Sequence, residues 1–176
     1  GEYRPETKIA VFNYNVHMVS PAPPQQARTT LLSDTLYYNT VTSVANVRGP
    51  STIDDGGCHI YTEFGYMDSN NNNLTLLKRS EMSNNGKKLI GDSIVWNSVD
   101  SIGEAFGNIL YTDILSNNAM TGNYCYYNDK LGYTLGTDSA CIMDFSQGAD
   151  TLYMHADSIK MFTFNVKTDS AYRTMH

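Results

Sequence analysis

The sequence is poor in charge and has no basic stretch. Asp, Glu, Lys and Arg make up 17% of its 176 residues, and the net charge is −6. Basic residues are scattered, and only two pairs are adjacent, Lys78-Arg79 and Lys87-Lys88. Proteins that bind the phosphate backbone of nucleic acids need a dense basic surface, because binding is driven by the release of counterions. The sequence therefore predicts no nucleic-acid partner.

Helical periodicity and long apolar runs are also missing. No window of a dozen residues keeps its apolar side chains at the spacing of an amphipathic helix. The longest apolar runs are too short to cross a bilayer as a helix. Tyr, Asn, Thr and Ser are plentiful instead. This mixture of strand formers and turn formers predicts an all-β protein.

Cysteine is scarce, with Cys58, Cys125 and Cys141 as its three occurrences. None of them lies at a Cys-x-x-Cys spacing, so the sequence indicates neither a zinc site nor a redox pair. Two interpretations stay open. The cysteines are small buried apolar residues, or Cys125 and Cys141 form a disulfide.

No arrangement of reactive residues indicates an enzyme. The four histidines are far apart, and neither a Gly-x-Ser-x-Gly motif nor a glycine-rich phosphate loop is present. Acidic residues recur at equivalent places, whereas a glycosidase needs two carboxylates in unlike environments. We expect a carboxylate repeated at the start of each hairpin to cap a turn. The sequence thus predicts no catalytic residue, no metal site and no cofactor.

A repeat of about 30 residues organises the chain. Each unit has a polar anchor followed by alternating large apolar residues, and the anchors are Asp34, Glu63, Asp92, Asn123 and Asp157. In four units a residue suited to a turn follows the anchor five positions later, at Asn39, Asp68, Asn97 and Asn128. The turn of the fifth unit is expected at Asn165. A fixed period of this length predicts stacked supersecondary units.

These units predict a single domain of antiparallel hairpins over residues 1–176. A first strand is expected over 8–19, a proline-rich loop over 20–28 and five hairpin repeats over 29–176. In the central hairpin, residues 91–97 run back through 103–108. The last strand breaks off, so we expect the chain to be a piece of a longer polypeptide whose unpaired strand offers a docking edge.

The large apolar side chains of the repeats form a predicted column. Because alternate residues of a strand share a face, we expect the column to line one side of the sheet. Its members are Leu36, Tyr38, Phe64, Tyr66, Ile94, Trp96, Tyr124, Tyr126, Ile159 and Met161. Since no helix is available to cover the column, the sheet must curl over itself. The result is either a filled sandwich or a groove for an elongated apolar ligand such as an acyl chain.

Several short phrases follow one another along the repeats. They are Ser33-Asp34-Thr35-Leu36-Tyr37-Tyr38, Gly91-Asp92-Ser93-Ile94, Gly103-Glu104-Ala105-Phe106-Gly107-Asn108 and Asp150-Thr151-Leu152-Tyr153-Met154-His155-Ala156-Asp157. Their succession over residues 29–176 resembles the OstA/LptA family of lipopolysaccharide-transport proteins. The resemblance is strongest to the OstA-like branch of that family in Gram-negative bacteria.

The resemblance implies an open antiparallel β-jelly-roll, or β-taco, that holds the acyl chains of lipid A between two apolar sheet faces. It implies a periplasmic location associated with the outer membrane. The implied ligand is lipopolysaccharide or a related lipid. The implied protein partners are other proteins of a transport bridge, or further copies of the chain, joined through sheet edges. The apolar column would form the groove. Basic residues near its mouth would contact lipid phosphates, and the candidates are Arg48, Lys78, Arg79, Lys87 and Lys88.

Two functions are therefore weighed. The first is a periplasmic lipid-binding module that holds lipopolysaccharide acyl chains as part of a transport bridge to the outer membrane. It predicts that Asp in place of Trp96 or Phe64 weakens lipid capture. The alternative is a structural or adhesive β-repeat protein that binds carbohydrate or protein on an exposed aromatic face. It predicts that Tyr37, Tyr127 and Tyr153 point outward.

Overall fold

The computed structural model confirms the predicted all-β class. It describes residues 1–19, 28–55, 57–146, 148 and 150–162. Within them, eleven strands form one antiparallel sheet in which every strand lies beside its neighbours in the sequence. The strands are β1 Glu2–Arg4, β2 Ile9–Val19, β3 Thr30–Asn39, β4 Val44–Asp55, β5 Cys58–Asp68, β6 Asn73–Asn84, β7 Lys87–Asn97, β8 Ile102–Asp113, β9 Asn118–Asn128, β10 Tyr133–Asp144 and β11 Leu152–Phe162. In this part of the chain no helix is long and apolar enough to span a membrane.

The strand order agrees with the predicted hairpins. The central hairpin forms between β7 and β8, where Asn97 pairs with Ile102 and Ser93 with Phe106. The predicted first strand corresponds to β2. Most of the proline-rich loop, residues 20–27, and the expected turn at Asn165 lie outside the described residues.

A row of β-bulges crosses the sheet through its even-numbered strands. Left-handed backbone occurs in β2, β4, β6, β8 and β10, at Tyr14, Gly49, Lys78, Gly107 and Asp138 respectively. The register shifts at these places in every pair of neighbouring strands from β2 to β11. A bulge bends its strand and increases the local twist. The aligned bulges therefore crease the sheet and turn its two halves toward each other.

We call the segments between the crease and the Asx turns half A, and the segments on the other side of the crease half B. Half A contains residues 35–39, 44–48, 64–68, 73–77, 93–97, 102–106, 124–128 and 133–137. Half B contains 30–33, 51–55, 58–62, 80–84, 87–91, 109–113, 118–122 and 140–144. One cluster of buried side chains joins both halves, with Leu76 and Ile94 from half A and Leu31 and Met120 from half B. Their shared face is the inner face, and the opposite side of the sheet is the outer face.

The polar anchors of the repeats lie beside the bulges. The expectation that they cap turns is wrong. Arg79 Nη1 donates to Asp92 Oδ1 at 3.1 Å and to the Asn108 carbonyl at 2.5 Å, which ties β6 to β7 and β8. Lys78 Nζ lies 3.8 Å from Glu63 Oε2. The anchors are in the middle of odd-numbered strands because the chain crosses the crease there, away from either turn.

The Asx residues five positions after the anchors end their strands, as predicted. Asn39 Oδ1 accepts hydrogen bonds from the backbone N–H groups of Val41 and Thr42 at 2.9 and 3.0 Å. Asn128 Oδ1 accepts from Leu131 N–H at 2.9 Å. A side-chain oxygen that binds the following backbone replaces ladder partners that end at the turn. These residues therefore form the margin of half A that lies farthest from the crease.

Candidate functional site

An apolar slot lies between the margins of the two halves. Its widest part is a cavity of about 310 Å³. Half B contributes Ile53, Cys58 and Ile60 to its lining, and half A contributes Met67, Leu74 and Trp96. Polar residues of the turns rim the mouth, among them Asp55, Asp68, Asn72 and Asn73. The slot thus has an apolar interior and a polar mouth, as binding sites for apolar ligands do.

The slot narrows toward β8 and β9. A second cavity of about 50 Å³ adjoins the wide part, and Cys58 and Trp96 line both. The walls of the narrow part include Met82, Leu89 and Tyr111 from half B and Tyr127 from half A. The interior is therefore one asymmetric space, open at β4 to β6 and nearly filled at β8 and β9.

The predicted apolar column does not lie on one face. Six members point inward, namely Leu36, Tyr38, Ile94, Trp96, Ile159 and Met161. Four members, Phe64, Tyr66, Tyr124 and Tyr126, occupy outer-face positions of the same ladder. The expectation of a one-sided column is wrong for these four. The binding role of the inner six stays a prediction.

The reason for the split is the two-residue period of a strand. The six inner residues follow their anchors by two and four positions, whereas the four outer residues follow theirs by one and three. A shift of one residue moves a side chain to the other face. The inner positions of β5 and β9 belong to Gly65, Met67, Cys125 and Tyr127. Counting a constant offset from each anchor identifies these four from the sequence alone.

The basic candidates are divided between three places. Arg48 lies on the outer face, with its guanidinium 4.7 Å from the Tyr37 ring centroid. Lys78 and Arg79 are at the crease, paired with Glu63 and Asp92. Lys87 and Lys88 border the narrow part of the slot. Of the two, Lys87 has an inner-face ladder position, whereas Lys88 pairs with Ser83 and Thr112 on the outer face. A role for any of the five in phosphate contact stays a prediction.

Lys87 spans the two margins of the slot. Its Nζ lies 5.6 Å from the ring centroid of Tyr127, within the range of a cation–π contact. The Tyr127 hydroxyl donates to Asp129 Oδ1 at 2.6 Å. On the outer face, Lys88 Nζ is 2.7 Å from Glu81 Oε1. The mouth therefore carries side chains of both charge signs, whereas the residues that line the interior are uncharged.

The titratable groups inside the slot are neutral near pH 7. Burial raises the pKa of the Cys58 thiol to about 11 and that of the Tyr111 hydroxyl to about 12. Burial also raises the pKa of Tyr127, with the carboxylate of Asp129 acting in the same direction. An uncharged lining keeps the interior compatible with hydrocarbon.

The cysteines are free, so the Cys125–Cys141 disulfide is not formed. Cys125 points inward and is buried, and burial raises its pKa to about 12. Cys141 occupies the outer-face ladder position opposite His155. Among the described residues no group of three or more His, Cys, Asp or Glu side chains is close enough to hold a metal ion.

The outer face of half A carries aromatic side chains of its own. Phe106 packs on Tyr124 with ring centroids 5.3 Å apart, and Tyr126 stacks on Tyr133 at 5.7 Å. Of the three tyrosines expected to point outward, Tyr37 occupies an outer-face position and Tyr153 is 60% exposed. The expectation is wrong for Tyr127, which lies on the inner face and stacks on Trp96.

Comparison with known proteins bears on the fold. No family model matches the sequence, and no curated protein matches it. Among solved structures, the chain is similar to LptH from Pseudomonas aeruginosa, described as the LptA-homologous periplasmic component of the conserved lipopolysaccharide transport device. The match has a TM-score of 0.59 and 12% identity, and covers 82% of this chain and 100% of that chain. The chain therefore has an LptA-like fold, as the resemblance of its repeats implied.

Proposed function

We propose that this protein is a non-enzymatic lipid-binding module of the lipopolysaccharide-transport type, which holds acyl chains in the slot between the two halves. One observation carries the proposal, the apolar cavity of about 310 Å³ that opens between the sheet margins. The LptA-like fold supports it, because the similar protein LptH belongs to a lipopolysaccharide transport device.

The chemistry of the slot suits reversible capture of hydrocarbon. Transfer of a methylene group from water into an apolar site contributes about 0.8 kcal/mol. The lining offers aliphatic and aromatic surface and neutral hydroxyl and thiol groups. The polar head of the lipid would stay at the mouth, where Lys87 would attract phosphate. No covalent bond is needed, so bound lipid can leave again.

The same proposal extends to place and partners. A periplasmic protein of this fold would hand lipid along a bridge toward the outer membrane. The terminal strands of the described sheet, β1 and β11, are where another protein or a further copy would add its own strand. Cell fractionation and site-specific crosslinking from β11 test these two extensions separately.

The central test compares two aromatic residues on opposite faces. Trp96→Asp puts a charge into the slot, whereas Phe64→Asp puts the same charge on the outer face of half A. We expect Trp96→Asp to reduce capture of radiolabelled lipid A at least tenfold, and Phe64→Asp to change it less than twofold. Circular dichroism and urea denaturation of both variants control for folding. Undiminished capture by a folded Trp96→Asp variant would overturn the proposal.

The alternative, recognition of carbohydrate or protein on the outer aromatic face, has weaker support. The outer rings pack on one another, and Arg48 and Lys160 lie over Tyr37 and Tyr133 at 4.7 and 3.8 Å. Ring faces that neighbours already cover are less accessible to a sugar or peptide. The comparison above distinguishes the two functions, since the alternative predicts that Phe64→Asp is the damaging substitution.

A further inference from the structure

The two ends of the slot differ in free volume, and this difference limits which lipid fits. The wide part has about 310 Å³ and is lined mainly by residues of β4 to β7, whereas the narrow part has about 50 Å³ and is lined by residues of β5 to β9. Both parts border Trp96. A hydrocarbon chain that enters at the wide part therefore reaches Trp96 and then meets the narrowing.

Two tyrosines from opposite halves form the narrowing. Tyr111 comes from β8 in half B and is 3% exposed. Its ring centroid lies 6.3 Å from that of Tyr127, which comes from β9 in half A. Tyr127 in turn stacks on Trp96, with ring centroids 6.2 Å apart. The three rings thus reach from one half of the sheet to the other.

On the β10 side of the tyrosines, the side chains of the two halves touch across the crease and fill the space between the inner faces. A Cβ atom added to Gly136 of half A would lie 2.5 Å from Sδ of Met120 in half B. Met120 is 1% exposed and Cys125 is 0% exposed. Close packing of this kind leaves no room for an additional chain. The described part of the slot therefore has its free space on one side of the Tyr111–Tyr127 pair.

We infer that Tyr111 and Tyr127 are specificity-determining residues that end the chain-binding part of the slot and so limit the length of acyl chain it accepts. The inference rests on the proposed function, since it concerns the same slot. Chains short enough to stop at Trp96 would be fully buried. Longer chains would leave their remaining methylene groups in water at the mouth and gain no further affinity.

A series of saturated fatty acids of increasing length tests this inference. For the wild type we expect affinity to rise roughly fourfold with each added methylene and then to level off once the chain reaches Trp96. In Tyr111→Ala and Tyr127→Ala the rise should continue for at least about two further methylenes, which is roughly a fifteenfold gain for the longest chains. The matched control is Tyr126→Ala, which removes an outer-face ring beside Tyr127 and should leave the wild-type profile unchanged.

The outcomes separate this inference from the proposed function. If the wild-type profile levels off and both slot variants leave it unchanged, the chain-length limit is overturned while lipid binding stands. If no fatty acid binds the wild type, both are overturned.

A second measurement needs no variant. A fatty acid with a diazirine at its methyl end should label peptides of β4 to β7 in the wild type. Labelling of β10 peptides, which lie behind the Tyr111–Tyr127 pair, would overturn the inference. Labelling of β9 at Tyr127 itself agrees with it, since Tyr127 stacks on Trp96.

Discussion

At the scale of single residues, the crease depends on positions that no ordinary side chain fits. Gly107 has φ of +73°, and a Cβ atom added there would lie 2.6 Å from Oδ2 of Asp92. The same carboxylate binds Arg79 and the Asn108 amide. Gly107 thus provides the left-handed backbone of the bulge and the space for the anchor of the neighbouring strand.

Gly107→Ala should lower the free energy of unfolding by about 1–3 kcal/mol, because it adds backbone strain and a clash with Asp92. The measurement is urea denaturation at neutral pH. Gly148→Ala is the control, since Gly148 has a similar φ of +81° but open space around the added Cβ. Equal losses in the two variants would mean that the contact with Asp92 contributes nothing.

Buried hydroxyl pairs are a second residue-scale feature of the crease. Ser33 and Ser51 lie 2.8 Å apart on β3 and β4, and Thr62 and Ser80 lie 2.9 Å apart on β5 and β6. Each pair also binds backbone carbonyls next to the bulge, such as that of Gly49. These hydroxyls therefore satisfy polar groups that a bulge withdraws from the ladder.

At the scale of elements, the strands end at Asx residues whose side chains bind the backbone of the turn that follows. Asp68 Oδ1 accepts from the backbone N–H of Asn70 at 2.9 Å, and its Oδ2 accepts from the Asn71 side chain at 2.6 Å. At the other margin, Asp144 Oδ1 accepts from Ser146 N–H at 2.8 Å. These hydrogen bonds lower the pKa of both carboxyls, with the side chains of Asn71 and Ser146 as the largest causes.

The lowered pKa predicts how stability depends on acid. A carboxyl whose folded pKa lies below its unfolded value of about 3.9 stabilises the fold above that value, and this contribution is lost as the pH falls through the folded pKa. Asp68→Asn should therefore cost more stability near neutral pH than in strong acid, where the wild-type carboxyl is also neutral. Urea midpoints measured across the acid range test this. A constant difference between the two proteins at all pH values would contradict it.

At the scale of the whole molecule, the crease converts a flat meander into two facing layers. The inner face is closed at β8 to β10 by close contact and open at β4 to β6 as a slot. Met120 reaching Gly136 is the contact that shows this most directly. A small residue is needed at position 136 of half A because Met120 of half B crosses to it.

Gly136→Val should destabilise the protein by about 1–3 kcal/mol through overpacking against Met120, although Val suits a strand better than Gly. Adding Met120→Ala should recover part of the loss, because it frees the volume that Val occupies. A double-mutant cycle with urea denaturation measures this coupling. Independent, additive effects would show that the halves do not meet at this point.

The sequence allowed much of the fold to be predicted, and less of the site. Alternation, the 30-residue period and the Asx residues such as Asn39 and Asn97 predict strands, hairpins and turns because these are local properties of the chain. The face of each side chain was predicted less well. The column was predicted to contain the large residues Phe64 and Tyr124, whereas their smaller neighbours Gly65 and Cys125 occupy the inner positions.

By itself, the sequence determined the all-β class, the order of the hairpins and the turn positions, since each depends on residues close together in the chain. Only the tertiary structure decided where the sheet creases and where the slot is open. Both depend on bulges aligned across strands about 30 residues apart and on contacts such as Tyr111 with Tyr127. Such contacts join segments on opposite sides of the crease, and no local pattern of residues specifies which of them will meet.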